Sequence, residues 1–122
     1  MNPGSQSERF PRRLRLSGQR AFDRVFRERR VASDSVLTVH GSRNGLSHSR
    51  LGIAASRRLG NAVVRNYWKR LIREAFRRQQ AELPVGLDFV VRPQRGAVPD
   101  PKAVANSLLM LARKLDRRES TR

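Results

Sequence analysis

A row of basic side chains in the middle of the chain carries the chemistry that this sequence offers most clearly. Arg65, Lys69 and Arg73 are spaced four residues apart, so on a helix their charged groups rise by about 6 Å per step along one line. Guanidinium groups bind phosphate through two parallel hydrogen bonds. Because like charges at this spacing destabilise an isolated helix, a helix that keeps them is expected to bind a polyanion. The spacing therefore predicts a phosphate-binding face.

Residues 62–80 separate into an apolar side and a basic side on a helix that turns by about 100° per residue. The apolar side is predicted to face the core and consists of Val64, Trp68, Leu71, Ile72 and Ala75. Two arginines upstream continue the basic side, and the complete predicted phosphate-binding face consists of Arg57, Arg58, Arg65, Asn66, Lys69, Arg70, Arg73 and Arg77. An ordinary solvated face is the alternative, although such a face usually mixes charges of both signs.

Groups suited to acid–base or metal chemistry are few and scattered. The chain has 10 acidic residues, 2 histidines and no cysteine. The acids form no cluster fit for a two-metal site, and His40 and His48 fall on a predicted strand and a predicted turn without an obvious partner. Without cysteine, neither a disulfide nor a thiolate metal site is possible. We therefore predict no catalytic residue and no metal ligand in this chain, which indicates a positioning role.

The charge balance favours a nucleic acid as the partner. Lys and Arg number 27 against 10 Asp and Glu, for a formal net charge of +17. Such an excess repels itself in a compact fold unless a polyanion supplies the counter-charge. No segment has the apolar length of a membrane span, and residues 1–8 lack the apolar run of a secretory signal. We predict a cytoplasmic protein that binds nucleic acid and no membrane; a merely solvated basic surface is the alternative.

The elements that hold these residues follow from apolar periodicity and turn signals. Val36 to His40 and Leu51 to Arg57 are predicted to form an antiparallel pair around the turn Asn44-Gly45. The other predicted elements are a first helix from about Gly18 to Arg27, a long helix from Ala62 that nothing breaks before Pro84, a strand from Leu87 to Arg92, and a last helix from Pro101 to about Asp116. This order indicates an α+β fold, a small two-layer sandwich with helices on one face of a sheet.

The long basic helix resembles a known signature. The bacterial ribonuclease P protein family has the pattern Arg-Asn-Arg-x-Lys-Arg-x-x-Arg, and the matching run here is Arg65-Asn66-Tyr67-Trp68-Lys69-Arg70-Leu71-Ile72-Arg73. The upstream run from Arg57 to Val64 is similar to the same family, as are Arg15-Leu16, Phe22 and Val25-Phe26. The likeness covers about residues 14 to 115. Tyr67 departs from the family's arginine, and we expect it to soften a peripheral contact by stacking in place of a salt bridge.

The resemblance implies both a fold and a function. The fold is a small α/β sandwich shared with a domain of a ribosomal protein, with a left-handed strand–helix–strand crossover that the resemblance alone implies, since nearly all such crossovers are right-handed. The function is that of the protein subunit of the ribonucleoprotein ribonuclease P. That subunit binds the catalytic RNA and the 5′ leader of precursor tRNA and promotes endonucleolytic removal of the leader. Catalysis belongs to the RNA subunit, which holds most of the Mg²⁺, so the chain alone is expected to be inactive.

The resemblance also implies two separate binding surfaces within one RNA-binding domain. The basic helix, with Arg57 and Arg58, is expected to contact the catalytic RNA. A cleft between the first helix and the sheet is expected to hold the leader, with Phe22 and Phe26 at the family's aromatic positions and His40 in place of another aromatic. An aromatic pair at helical spacing is as often core. We assign residues 14–116 to the single RNA-binding domain, residues 1–13 to a disordered basic N-terminal tail and residues 117–122 to a charged C-terminal tail.

Three other classes of function are weighed against this one. A ribosomal or generic RNA-binding protein shares the charge and the helix, and differs in lacking specific affinity for ribonuclease P RNA. A DNA-compacting protein is disfavoured because no helix-turn-helix pair is present and the basic helix has a full apolar face. A metal-dependent nuclease is disfavoured by the scattered acids. DNA is therefore not an expected partner.

Overall fold

The computed structural model describes residues 10–120, with side chains through residue 117. Two 3₁₀ turns, Arg12–Leu14 and Arg57–Leu59, precede the first and second helices. The strands are β1 (Val31–Ser33), β2 (Leu37–Arg43), β3 (Arg50–Ile53) and β4 (Leu87–Pro93), and the helices are α1 (Gln19–Arg27), α2 (Ala62–Arg78) and α3 (Pro101–Ser120). The predicted α+β class is confirmed.

The four strands form one mixed sheet in the order β1-β2-β4-β3. β1 pairs antiparallel with β2, β2 antiparallel with β4, and β3 parallel with β4. The predicted antiparallel pairing of the strands around Asn44-Gly45 is wrong, because β4 lies between them. Gly45 does adopt a turn conformation, with φ of 72°, but the turn leads the chain across the end of β4, where the Asn44 N–H donates to the Gly86 carbonyl at 3.0 Å.

The strand predicted from Leu51 to Arg57 is shorter in the structure, and β1 was not predicted. β3 ends at Ile53 because the chain then leaves the sheet and enters the 3₁₀ turn Arg57–Leu59 that begins the approach to α2. β1 has 3 residues, too few to show an alternating pattern. α2 joins the parallel strands β3 and β4, and the left hand of this crossover stays a prediction of the family resemblance.

Helices cover both faces of the sheet, so the prediction that they lie on one face needs correction. α2 and α3 pack on the face that carries Leu37, Val39, Phe89 and Val91, and these side chains belong to the main core. The opposite face carries Val90, which packs with Leu16 and with Val25 of α1 in a smaller cluster. The sheet alternation explains the division, because Val90 points away from its neighbours in sequence.

α2 begins at the predicted cap. The Asn61 side chain accepts a hydrogen bond from the Val64 N–H at 3.0 Å, which satisfies a free donor of the first turn. Val64, predicted as core, is instead 36% exposed, because the first turn packs back on Gly60 and not on the sheet. Phe76, which was not placed on the core side, is fully buried.

Both ends of the domain extend beyond their predicted limits. Phe10 is buried and its ring lies 5.7 Å from that of Phe76, and the next residues form a 3₁₀ turn. The prediction of a disordered tail is therefore wrong for residues 10–13, while residues 1–9 lie outside the described residues. At the other end α3 continues to Ser120, so residues 117–120 are helical and residues 121–122 lie outside the described range. No helix within residues 10–120 has the length and apolarity to cross a membrane.

Candidate nucleic-acid interface

A cavity of about 520 Å³ opens at the outer edge of β3. β3 is an edge strand, and its outer side is only partly covered, by a hydrogen bond from the Leu16 N–H to the Leu51 carbonyl at 2.9 Å. Side chains from the N-terminal segment, α1, β3 and α2 converge around the opening. They include Arg15, Phe22, Gly52, Ile53, Lys69 and Arg73.

Phe22 forms the aromatic wall of this β3-edge cavity. Its ring lies against Gly52, so closely that a Cβ built at Gly52 would come within 2.6 Å of the ring. Phe22 is half-buried and also packs with the small cluster of Leu16, Val25 and Val90. Part of the ring therefore belongs to the core and part lines the cavity, and its role in leader binding stays a prediction.

Phe26 and His40 lie together, on a different part of the α1 face. Their rings meet edge to face with centroids 4.8 Å apart. Phe26 lines a second cavity of about 380 Å³ together with Ala54, Ser56 and Arg92, and His40 is not among the residues that line it. The structure therefore brings Phe26 and His40 into contact and places Phe22 at the neighbouring β3-edge cavity.

The His40 imidazole is held in its neutral form. Burial lowers the pKa of His40 below its ordinary value, and the positive charge of Arg92 lowers it further. The Nε2 atom is buried and has no hydrogen-bond partner within residues 10–120. The ring packs edge to face on Phe26, and its part in leader binding stays a prediction.

The basic face of α2 is mostly free of compensating charge. Lys69 and Arg65 are half-buried, and the Nε of Arg65 is buried without a partner among the described residues. Within that part of the chain, these residues and the remaining exposed members form no ion pair with a carboxylate. The exposed members are Arg57, Arg58, Asn66, Arg70 and Arg73. Unpaired guanidinium groups in a row suit a phosphate backbone.

Arg77 differs from the other predicted members of the basic face. Its guanidinium donates to both carboxylate oxygens of Glu74, at 3.0 and 2.7 Å, and Arg78 lies 3.4 Å from the same carboxylate. The hydrogen bonds from Arg77 hold the pKa of Glu74 below its ordinary value. The uncompensated part of the face therefore ends near Arg73.

The two predicted binding surfaces meet in one place. Lys69 and Arg73 from the basic helix line the same cavity as Phe22 from α1, so the cleft is not separate from the basic face as the sequence predicted. Tyr67 is 39% exposed and is not among the residues that line this cavity; its peripheral contact stays a prediction.

Sequence reasoning missed a buried carboxylate next to the site. Asp88 on β4 is fully buried and accepts hydrogen bonds from Arg24, Arg50 and Asn44. An acid within the otherwise apolar strand Leu87 to Val91 was the signal that could have indicated it, since a buried charge is normally paired. No group of three or more His, Asp or Glu suited to a metal ion occurs within residues 10–120.

The ribonuclease P family model matches residues 10–116, which is most of the chain. The chain belongs to the ribonuclease P protein family. The ribonuclease P protein component of Methylococcus capsulatus is 45% identical over 103 residues, covering 84% of this chain and 79% of that protein. That of Thermotoga maritima is 42% identical over 89 residues, covering 73% of this chain and 76% of the relative.

Solved structures of ribonuclease P proteins share the fold. The Thermotoga maritima protein superposes with a TM-score of 0.74 at 37% identity, covering 81% of this chain and 96% of that one. The Staphylococcus aureus protein superposes with a TM-score of 0.73 at 29% identity, covering 83% and 94%. The resemblance noted in the basic helix is therefore confirmed over nearly the whole domain, and the protein is a tRNA 5′-maturation subunit of the ribonuclease P type.

Proposed function

We propose that this ribonuclease P protein positions RNA and leaves the hydrolysis to an RNA subunit. The row from Arg57 to Arg73 binds the catalytic RNA, and the β3-edge cavity receives the single-stranded 5′ leader of precursor tRNA. The observation that carries the proposal is the convergence of Lys69, Arg73 and Phe22 on one cavity. Cations beside an aromatic wall match a single strand, which presents phosphates and unstacked bases together.

Each component of the cavity has a distinct part in holding the leader. Lys69 and Arg73 neutralise phosphates of the strand, and Phe22 offers a face on which a base stacks, worth about 1–3 kcal/mol per base. Gly52 lets the Phe22 ring stand close against the sheet. Phe26 and His40 extend the stacking surface toward the second cavity. None of these contacts reads a base edge, so we expect the leader to be bound with little sequence preference.

Mg²⁺ in this account is held mainly by the RNA subunit. Two observations support this proposal: residues 10–120 contain no group of three or more His, Asp or Glu that could hold a metal ion, and the buried Asp88 carboxylate is already occupied by Arg24, Arg50 and Asn44. We therefore assign no step of the hydrolysis to this chain. On this proposal it has no catalytic residue, is inactive alone and acts in the cytoplasm, where precursor tRNA is processed.

Reconstitution tests the proposal. The purified protein is mixed with a bacterial ribonuclease P RNA at a Mg²⁺ concentration at which the RNA alone cleaves slowly, and release of the 5′ leader is followed. We expect the mixture to cleave accurately at the mature 5′ end. The protein with Mg²⁺ but without RNA is expected to leave precursor tRNA intact.

Two outcomes would contradict the proposal. Binding to the RNA without stimulation of cleavage would favour a generic RNA-binding role. Cleavage by the protein alone, retained through repurification and absent from a mock preparation, would place catalytic groups on this chain.

A further inference from the structure

A buried ionic network lies beside the leader cavity and ties α1 to the sheet. The Arg50 guanidinium donates to both oxygens of Asp88, at 2.8 Å each. Asn44 donates to one of these oxygens at 2.9 Å and Arg24 of α1 to the other at 3.0 Å. Burial would raise the pKa of the Asp88 carboxyl, but the hydrogen bonds from Arg50 and Asn44 hold it below its ordinary value. Asp88 is therefore charged and fully shielded from any bound RNA.

Arg24 is the outer member of this network. Its side chain is 52% exposed, whereas that of Arg50 is 28% exposed and that of Asp88 is fully buried. Within residues 10–120, Arg24 makes the only side-chain hydrogen bond that joins α1 to the sheet. The rest of the interface is the small apolar cluster around Val25. Removing Arg24 would leave Asp88 paired with Arg50 and Asn44, so the sheet itself keeps its charge balance.

The network and the aromatic wall occupy neighbouring rows of the same sheet face. Asp88 is paired with Ser42 and Arg50 across the strands. Two residues further along β4, Val90 is paired with His40 and Gly52. The His40 ring contacts the Phe26 ring, and the Phe22 ring lies against Gly52. A shift of α1 at the Asp88 row would therefore be transmitted to the ring of Phe22, because both rows pack under one short helix.

We infer that Arg24 is a positioning residue, which by binding Asp88 sets the place of α1 and thereby of the Phe22 wall of the leader cavity. The inference rests on the proposed leader site and adds to it a pair of residues that act without touching RNA. The Arg24–Asp88 ion pair and the Phe22 ring then determine leader affinity together.

The test compares Arg24→Met with Arg20→Met in the reconstituted enzyme. Both substitutions remove one charge from α1, and Arg20 is exposed with no side-chain partner in the described part of the chain. We expect Arg24→Met to raise the dissociation constant for precursor tRNA by about fivefold, which corresponds to about 1 kcal/mol, the upper end for an ion pair with an exposed partner. Affinity for mature tRNA is expected to stay unchanged, and Arg20→Met is expected to have little effect on either. Arg24→Lys, which keeps a cation within reach of Asp88, is expected to restore most of the affinity.

Salt dependence distinguishes positioning from direct phosphate contact. A lost contact to a single-strand phosphate lowers the slope of log affinity against log salt by about 0.7, whereas a positioning residue leaves the slope unchanged. We expect an unchanged slope for Arg24→Met, together with faster hydrogen exchange of the α1 amides. A slope reduced by about 0.7, or an equal loss of affinity in Arg20→Met, would overturn the inference.

Phe22→Ala separates failure of the inference from failure of the leader site. If Phe22→Ala weakens binding of leader-bearing substrate only, and Arg24→Met has no effect, the inference is wrong and the leader site stands. If Phe22→Ala does not discriminate between precursor and mature tRNA, the leader site is wrong and the inference is overturned with it. In the Phe22→Ala background, Arg24→Met is expected to cause no further loss.

Discussion

The contact between Phe22 and Gly52 shows how one small residue shapes the site. Only a hydrogen atom fits between the β3 backbone and the ring, since a Cβ at Gly52 would lie 2.6 Å from the ring and 3.3 Å from the Leu16 carbonyl oxygen. The ring is half-buried, so it has room to swing toward solvent. Glycine at this position therefore decides whether the aromatic wall stands against the sheet or is displaced into the cavity.

Gly52→Ala is expected to displace the Phe22 ring. Because the ring gives way, we expect the free energy of unfolding to fall by about 1 kcal/mol, the low end of overpacking costs, while leader-dependent affinity is lost. Chemical denaturation and binding of precursor against mature tRNA measure the two effects. In Gly52→Ala with Phe22→Leu, stability should recover but leader affinity should not. Full leader affinity in Gly52→Ala would show that the position of the Phe22 ring does not matter.

His40 gives the domain a pH dependence in the mildly acidic range. Its pKa in the folded protein lies below the ordinary 6.5 because burial and Arg92 disfavour the cation. Below about 6.5 the unfolded chain therefore binds more protons than the folded one, so the free energy of unfolding falls as the pH drops through this range. His40→Phe keeps a ring against Phe26 and is expected to remove this part of the dependence. Between pH 7 and 5, the free energy of unfolding of the wild type should fall faster than that of His40→Phe. An equal pH dependence in the two proteins would contradict the assignment.

Among the helices and strands, the sequence predicted best those whose structure depends mainly on their own residues. α2 carries its own cap, apolar side and basic side, and its start at Ala62 was predicted. The pairing of β3 was not predictable from its neighbours, because Asn44-Gly45 is a real turn signal that local chemistry cannot distinguish from a hairpin. Its outcome depends on β4, more than 40 residues along the chain from that turn, whose strongly apolar run takes the central position in the sheet.

The residues that meet at the β3-edge cavity could be named individually from the sequence, but their arrangement could not. Helical spacing placed Lys69 and Arg73 on one face of α2, and the family resemblance marked Phe22. Their meeting at one cavity depends on α1 lying across the face of the sheet opposite α2, and nothing in the local sequence indicates that placement. Asp88 was missed for the same reason, since its partners come from α1, from β3 and from the turn after β2.

The basic helix has a compensated end and an uncompensated part, and the two are expected to differ in RNA binding. Arg73 has no carboxylate partner within residues 10–120, whereas Arg78 lies 3.4 Å from Glu74. Arg73→Ala should weaken binding of ribonuclease P RNA and reduce the slope of log affinity against log salt by about one. Circular dichroism should show an unchanged helix content. Arg78→Ala is the matched control and should change both quantities much less. Equal effects would mean that total charge, and not the uncompensated row, governs binding.

In the whole molecule, several of the few acids are held by partners within the protein, whereas the row of cations from Arg57 to Arg73 has no carboxylate partner within residues 10–120. The chain has 10 acidic residues against 27 basic ones. Asp34 is held by Ser107 and by backbone N–H groups, Glu74 by Arg77, and Asp88 by Arg24 and Arg50. The Asp34 and Asp88 contacts join separate parts of the chain, whereas the Glu74 contact lies within α2, and none of them involves the row from Arg57 to Arg73. A polyanion therefore completes the electrostatics of this domain.

Photo-crosslinking from the leader tests whether the β3-edge cavity holds the leader. Precursor tRNA with 4-thiouridine at single leader positions is irradiated in the reconstituted complex, and the attached peptides are identified by mass spectrometry. We expect attachment to peptides that contain Phe22 or residues 51–53, and no such attachment from 4-thiouridine in the mature part of the tRNA. Attachment of the leader only to α3, around the exposed Met110, would contradict the claim that the β3-edge cavity holds the leader.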